Sequence, residues 1–314
     1  MSGDDKILIT GAGGMLGSYL VSEFADNQVK TLGLKENSDY RCDLTKDSPE
    51  FRENFRLVVH AAGSENESSA RTLNVGGTRR LLEALETNVP EYFVYVSSHR
   101  VYSRDAGEEV NEEDNTWPSC EVGKTKLQAE EIVKQWCDLH NVTLTIIRPA
   151  RMFGNGVSGD TLELFNDALA GKYIHIRGND AKVSLVTALD VARAIKKVYE
   201  SGGIYNAADG RNPKYIEMVE AMTANAGAKK RMTHLPVAWA EWVWRLGRWI
   251  PAIHRHLAPQ VVENRMKTLT LDGRRLAEAA GIKYYDTISV MELTSPDYPY
   301  AFKTPLHKKE IHEV

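Results

Sequence analysis

Lys6 to Gly17 reads KILITGAGGMLG. An apolar run (Ile7, Leu8, Ile9) ends at Thr10, and glycines follow at Gly11, Gly14 and Gly17. Ser18 to Ala25 carry on with Leu16, Leu20, Val21 and Phe24 on one side of a helix. A strand, a tight turn and a helix start present backbone N–H groups and a positive helix end to a pyrophosphate. The glycines serve the turn, close backbone approach to the phosphate and helix–strand packing. Such a pattern alone also fits an ordinary βα turn. Its place after a strand, before a helix and close to the N-terminus favours a dinucleotide. Thr10, Gly11, Gly14, Met15, Leu16 and Gly17 are therefore the first candidate cofactor contacts.

Working outward, Val29 to Leu34 (VKTLGL) reads as a second parallel strand. An acid normally ends this strand and binds the adenosine ribose 2′-hydroxyl. Here Gly33 stands there, followed by Leu34 and Lys35, so nothing repels a 2′-phosphate and NADP is favoured, with NAD as the alternative. Leu57 to His60 is a third strand, running into small residues, Ala61, Ala62 and Gly63, that let a cofactor lie close to the backbone. Asn74 to Leu85 begins with a capping residue and continues with helical periodicity. Tyr92 to Ser97 and Leu144 to Ile147 are further strands, the latter closed by Arg148 and Pro149. Strands alternating with helices imply an α/β fold, a doubly wound parallel sheet of Rossmann type. The crevice should lie beyond the strands' C-terminal ends, where Ser97, Ser98 and His99 emerge.

Ser103 to Ser119 is acidic and reads as a solvated loop or flap. Val122 to Trp136 is a helix with Lys126 near its start, placed to bring an ammonium to the cleft. Residues 1–150 with about 181–210 should form the dinucleotide-binding domain. A smaller C-terminal substrate lobe would take about 151–180 and 211–298, with a loosely ordered tail at 299–314. Within that lobe Ala238 to Ile250 (AWAEWVWRLGRWI) holds four of the six tryptophans, with Trp239, Trp242, Leu246 and Trp249 at helical spacing. The plainer expectation is a helix packed inside the lobe. The other is an amphipathic helix meeting a membrane surface or a partner.

With 314 residues, 42% hydrophobic and 26% charged, the composition is that of an ordinary globular protein. The net charge of −4 gives no reason to propose nucleic acid. No apolar run is long enough to span a membrane, and the acidic start, MSGDDKILIT, does not read as a signal peptide. Cys42, Cys120 and Cys137 lack metal-ligand spacing, so no metal and a reducing, cytoplasmic setting are expected.

These segments together resemble the extended short-chain dehydrogenase/reductase family, in its NAD-dependent epimerase/dehydratase group, over roughly residues 5 to 290. TGAGGMLG (Thr10–Gly17) resembles the family's TGxxGxxG. CDLT (Cys42–Thr45) resembles the stretch whose Asp, here Asp43 beside Leu44, contacts adenine. HAAG (His60–Gly63), NVGGT (Asn74–Thr78), YVSSHRVYS (Tyr95–Ser103), IIRPARMFGNG (Ile146–Gly156), VTALDVARAI (Val186–Ile195) and GGIYNAADG (Gly202–Gly210) resemble family segments in the same order. The resemblance implies a nucleotide-sugar ligand between two lobes, cofactor contacts that include Asn74, Arg148 and Pro149, and a homodimer paired through a helix containing Val122 to Trp136.

One position departs from the pattern. The family's catalytic helix has Tyr, three residues, then Lys, and the tyrosine position here is Val122. By the match, Ser98 holds the substrate oxygen and Lys126 binds the nicotinamide ribose. Valine has no group to pass a proton. The resemblance then admits a reductase or epimerase of a nucleotide-linked 4-keto sugar whose proton comes from another group, with His99 and Cys120 the nearest candidates. The alternative is a catalytically silent dinucleotide-binding sensor or assembly partner. A third reading, a valine introduced to trap a complex, would more naturally use phenylalanine.

Overall fold

The computed structural model describes residues 6–224, 232–247, 249–250, 253 and 257–293. In chain order the first half runs β1 (Lys6–Thr10), α1 (Met15–Glu23), β2 (Gln28–Gly33), β3 (Tyr40–Arg41), β4 (Leu57–His60), α2 (Thr78–Leu85), β5 (Tyr92–Val96), β6 (Gly107–Val110), α3 (Glu121–His140) and β7 (Thr143–Pro149). The second runs β8 (Arg151–Phe153), α4 (Gly159–Leu169), β9 (Ile174–Arg177), β10 (Leu185–Thr187), α5 (Ala188–Val198), β11 (Gly203–Ala207), α6 (Tyr215–Thr223), β12 (Thr233–Pro236), α7 (Val237–Gly247), α8 (Pro259–Arg265), β13 (Leu269–Leu271), α9 (Arg274–Ala280) and α10 (Thr287–Leu293).

Seven strands form one parallel sheet in the order β11-β7-β5-β4-β1-β2-β3. The direction of winding reverses between β1 and β4, and that is where the glycine turn emerges. Both faces are covered, which is why the strands are continuous apolar runs rather than alternating ones. Leu16, Leu20 and Phe24 of the first helical segment pack on one face with Ile7, Ile9 and Val59. Leu81, Leu85, Val133 and Trp136 pack on the other with Leu8, Val58 and Phe93. Each fully buried Leu or Phe contributes roughly 1.5–3 kcal/mol. A further core joins Phe165, Tyr173, Met218 and Ile288, and a small one joins Ile176, Ala240 and Leu257.

Four sequence expectations change. The first helix starts at Met15, directly on the turn, so its free N–H groups face the turn's opening rather than lying a turn away. The segment expected to begin at Asn74 begins at Arg71, as a wide π-type stretch to Gly77 that continues into α2. Asn74 does not cap it, because its amide is used in tertiary contacts. The acidic segment 103–119 is not all loop: β6 pairs with β13, and the Glu109 N–H donates to Thr270 Oγ1 at 2.8 Å. The tryptophan helix α7 is packed within the lobe on one side only: Ala240, Val243 and Trp244 join the small core, while Trp239, Trp242 and Leu246 are exposed. The expected tail at 299–314, Arg248 and His254 to His256 lie outside the described residues.

Candidate functional site

The glycine turn is built by exclusion of side chains. Gly11 has φ +68°, and a Cβ there would come within 2.7 Å of the Ala62 nitrogen, so the turn lies against the backbone that leaves β4. A Cβ on Gly17 would overlap the Gly11 carbonyl oxygen, because α1 rises directly off the turn. The Gly14 N–H donates to Gly11 O at 2.9 Å, and Gly14 caps α1 with no side chain over the end. The first N–H groups of α1 thus remain for an anion.

A buried relay holds this turn to its neighbours. The Ala62 N–H donates to Thr10 Oγ1 (3.1 Å), and Thr10 Oγ1 meets His60 Nδ1 (2.7 Å). His60 Nε2 meets Thr78 Oγ1 (3.0 Å), which in turn donates to Asn74 O (2.6 Å). Only the Nε2–H tautomer satisfies every partner, so His60 is neutral. Burial, and secondarily the Lys126 cation, push its pKa down to about 3. Thr10 is wholly buried, so its hydroxyl positions the turn and leaves cofactor contact to the glycines.

Asn74 ties the loop after β4 to the catalytic-helix position. Its Oδ1 accepts from Ser64 N at 2.7 Å, and its Nδ2 donates to Ser64 O and to Thr125 Oγ1. One turn along α3, Lys126 is buried and donates from Nζ to Val96 O at 2.8 Å. A Cβ on Gly63 would lie 2.7 Å from that Nζ, so Lys126, Gly63 and the end of β5 meet at one point. Burial lowers the Lys126 pKa to about 8, opposed by Glu65 and Glu130. Ser98 caps the short turn that follows, its Oγ accepting from Arg100 N at 3.2 Å.

Val122 is 1% exposed, in the first turn of α3. Cys120, two residues before it, and His99, next to Ser98, both line a cavity of about 290 Å³ beside the ends of β5 and β7. Cys120 caps α3, its Sγ accepting from Gly123 N at 3.5 Å. His99 Nδ1 lies 3.1 Å from Pro149 O, which accepts only, so Nδ1 carries the proton and Nε2 is left as an acceptor. Burial first, then Arg100 and Arg151, push its pKa down to about 3, so the ring is neutral near pH 7 and a weak base.

The remaining expected contacts divide. Leu44 is buried and its carbonyl accepts from Arg80, while Asp43 Oδ1 accepts from Thr45 N and Oγ1 and is held ionised by them. Arg148 is closed off: Nε and Nη2 donate to the two Glu130 oxygens at 3.0 and 2.7 Å, and Nη1 donates to Tyr102 Oη at 2.9 Å. The Arg148 guanidinium is therefore committed to Glu130 and Tyr102 rather than to the crevice. The stem of Lys35 lies where a Cβ of Gly13 would stand, 2.9 Å from its Cε, which sets the lysine beside the glycine turn. Arg41, opposite Gly33 in the β2–β3 register, is a second cation there that no local pattern singles out.

The sequence also left the cavity's cations unnoticed. Arg100, Arg104, Arg151, Arg265 and Lys267 line it against two carboxylates, Asp160 and Glu163. They come from three separate stretches of chain, so no local motif announces them.

The model of the NAD-dependent epimerase/dehydratase family matches residues 7–208. The chain belongs to that family. The match takes in the glycine turn, Ser98, Lys126 and the whole parallel sheet. A curated family relative, N-acetyl-α-D-glucosaminyl-diphospho-ditrans,octacis-undecaprenol 4-epimerase of Escherichia coli O157:H7, is 27% identical over 255 residues, 74% of this chain and 76% of that one. A UDP-N-acetylglucosamine 4-epimerase structure from Bacillus cereus superposes with a TM-score of 0.71 at 19% identity, covering 92% of this chain and 94% of that one. RMD of Pseudomonas aeruginosa, solved with NADPH, superposes with a TM-score of 0.66 at 21% identity, covering 92% and 96%. Both structures show the family fold.

The site fits the family's dinucleotide. The turn leaves no room for side chains where a pyrophosphate approaches, the α1 N-terminus is open, and Lys126 stands at the end of β5.

Proposed function

We propose that this protein is an NADP-preferring reductase or epimerase acting on a 4-keto sugar carried by a diphosphate, of which nucleotide sugars are the first class to try. The observation that carries this reading is the cavity lined by five cations beside an intact dinucleotide site. Arg100 pairs with Asp160 and Lys267 with Glu263, but the lining cations still outnumber the lining carboxylates, and guanidinium groups suit a diphosphate. The curated relative acts on a sugar whose carrier is likewise joined through a diphosphate.

In this reading the N–H groups at Gly14 to Gly17 hold the pyrophosphate and Lys126 holds the nicotinamide ribose. Lys35 and Arg41 receive a 2′-phosphate at the end of β2. Ser98 hydrogen-bonds the sugar oxygen that changes oxidation state. The bound nicotinamide supplies hydride exchange with the sugar carbon. Proton transfer cannot involve position 122. The side chains on that wall nearest position 122 are His99, whose Nε2 is an acceptor but a weak base at a pKa of about 3, and Cys120, whose thiol can donate when a ketone is reduced.

A second reading, dinucleotide binding without turnover, is favoured by Val122 alone, buried where the family keeps its proton donor. Consumption of NADPH and NADH over a panel of diphosphate-linked 4-keto sugars, with cofactor binding recorded in the same samples, separates the two. Turnover of any one supports the enzyme, and tight binding with none supports the silent reading. Binding of neither cofactor overturns both.

A further inference from the structure

Lys126 is 7% exposed, and among the described residues its Nζ forms no ion pair. One acceptor, Val96 O at 2.8 Å, meets the ammonium, and the centroid of the Tyr95 ring lies 5.2 Å away. The carboxylates around it are committed elsewhere. Glu130, one turn further along α3, gives both oxygens to Arg148, and Glu65, after β4, lies 3.8 Å from Arg100. His60 on β4 is neutral and offers no counter-charge. A buried ammonium with no counter-ion is costly to the fold and marks a functional position.

Two hydroxyls flank Val96 in a similar state. Tyr95 Oη and Ser97 Oγ are buried with no hydrogen-bond partner among the described residues. Pairing continues past β5, where Ser97 N donates to Ile147 O at 2.7 Å. Strand alternation therefore puts residues 95 and 97 on one face of the sheet, the face on which Tyr95 packs with Ala129 and Val133 of α3. Unpaired hydroxyls beside an unpaired ammonium point to chemistry at this spot rather than to packing.

Val122 and Lys126 are four residues apart and share a face of α3. Valine has no proton to give, and the nearest titratable side chain along that face is Lys126. Its Nζ is held at the Val96 carbonyl, two residues before Ser98, which is proposed to hold the sugar oxygen. Burial brings its pKa down to about 8, against the opposing pull of Glu65 and Glu130. Near pH 7 the group is then charged and still a usable acid.

We propose that Lys126 is itself the proton donor of this enzyme, giving an Nζ proton to the sugar oxygen in place of the tyrosine that Val122 replaces. This rests on the function proposed above. The ketone carbon takes a hydride from the reduced nicotinamide, and the π pair of its C=O bond moves to oxygen. One Nζ–H bond breaks to give that oxygen its proton. The lysine is left as a neutral amine and regains its proton from solvent.

The first test needs no turnover. In the full chain labelled with ¹⁵N-lysine and free of cofactor, the Lys126 signal, assigned by its loss in Lys126→Met, should titrate near 8. Titration at the ordinary value of about 10.4 overturns the proposal. The second test is kcat for NADPH-dependent reduction of a 4-keto sugar against pH, which should fall as pH rises through about 8. Lys126→Arg keeps the charge but releases no proton in this range. It should lose about 10²–10⁴-fold in kcat with NADPH affinity reduced less than about tenfold. Adding Val122→Tyr to that variant should recover turnover. A flat pH profile, or an unchanged kcat in Lys126→Arg, overturns the proposal and leaves the function standing. So does turnover that appears only once Val122→Tyr is made. No turnover by either the wild type or Val122→Tyr overturns the function and this proposal together.

Discussion

Lys126 Nζ donates to the Val96 carbonyl at 2.8 Å, which fixes the ammonium at the C-terminal end of β5, against Gly63. The contact joins the helix that should carry the proton donor to the strand that opens the crevice. It also shows why Lys126 keeps its place one turn away from a valine. In the function proposed above, holding a ribose and moving a proton are separate tasks, and a valine at 122 bears on the second alone.

Val122→Tyr restores a hydroxyl at the family position. NADPH-dependent reduction of a 4-keto sugar should appear or rise by about 10²–10⁴-fold, the usual worth of a general acid. The buried site must give way to the ring, so the thermal midpoint should fall, overpacking costing about 1–3 kcal/mol. An unchanged rate in a variant that still binds NADPH would show that sugar reduction is not this protein's chemistry.

Lys126→Met removes an ammonium whose burial is costly, as its lowered pKa of about 8 records. Titration of NADPH should show at least about tenfold weaker binding, since hydrogen bonds from a charged group are worth about 1.5–3 kcal/mol each. The thermal midpoint without cofactor should hold, because the lost bond to Val96 O is offset by relief of desolvation. A large drop in midpoint with full affinity would make Lys126 structural.

Lys35→Glu places a carboxylate beside the end of β2, where a 2′-phosphate would sit. The ratio of NADPH to NADH affinity should shift toward NADH by tenfold or more, of the order of one charge-assisted contact replaced by repulsion. An unmoved ratio would place the 2′-position elsewhere.

Glu130→Ala leaves Arg148 buried and without its two-point partner, the pair being 5% and 6% exposed. Loss of one member of such a pair costs about 3–5 kcal/mol. Urea unfolding should show that loss, and a change below ~1 kcal/mol would mean that water reaches Arg148.

Acid should destabilise the fold. His60 titrates near 3 when folded against 6.5 when free, so the unfolded chain takes up its proton first. Its stabilising contribution is complete above pH 6.5 and is lost as pH falls toward 3. His175 is also shifted down, chiefly by burial, and acts in the same direction. Asp190 opposes them: burial raises it to about 6 from 3.8, so its contribution is present below 3.8 and lost as pH rises through 6. The larger His60 shift should prevail, and urea midpoints measured from pH 7.5 down to 4.5 should decrease. A flat or rising series would show that the relay from Thr10 to Asn74 tolerates a charged imidazole.

The parallel sheet is legible in the residues alone, because strands covered on both faces favour apolar runs and the connecting helices keep their own period. So are the glycine turn, Ser98, Lys126 and the valine at 122, since each belongs to a local motif of fixed spacing. What depends on distant chain segments meeting is legible only in the fold. The five cavity cations assemble from residues 100–104, 151 and 265–267. Arg148 reads as a crevice residue until Glu130, eighteen positions away on another element, claims its guanidinium. Helical spacing told which residues of α7 share a face but not which face is covered, because burial is settled by whatever packs alongside. Here the lobe core takes Ala240 and Trp244 and leaves three tryptophans to the surface.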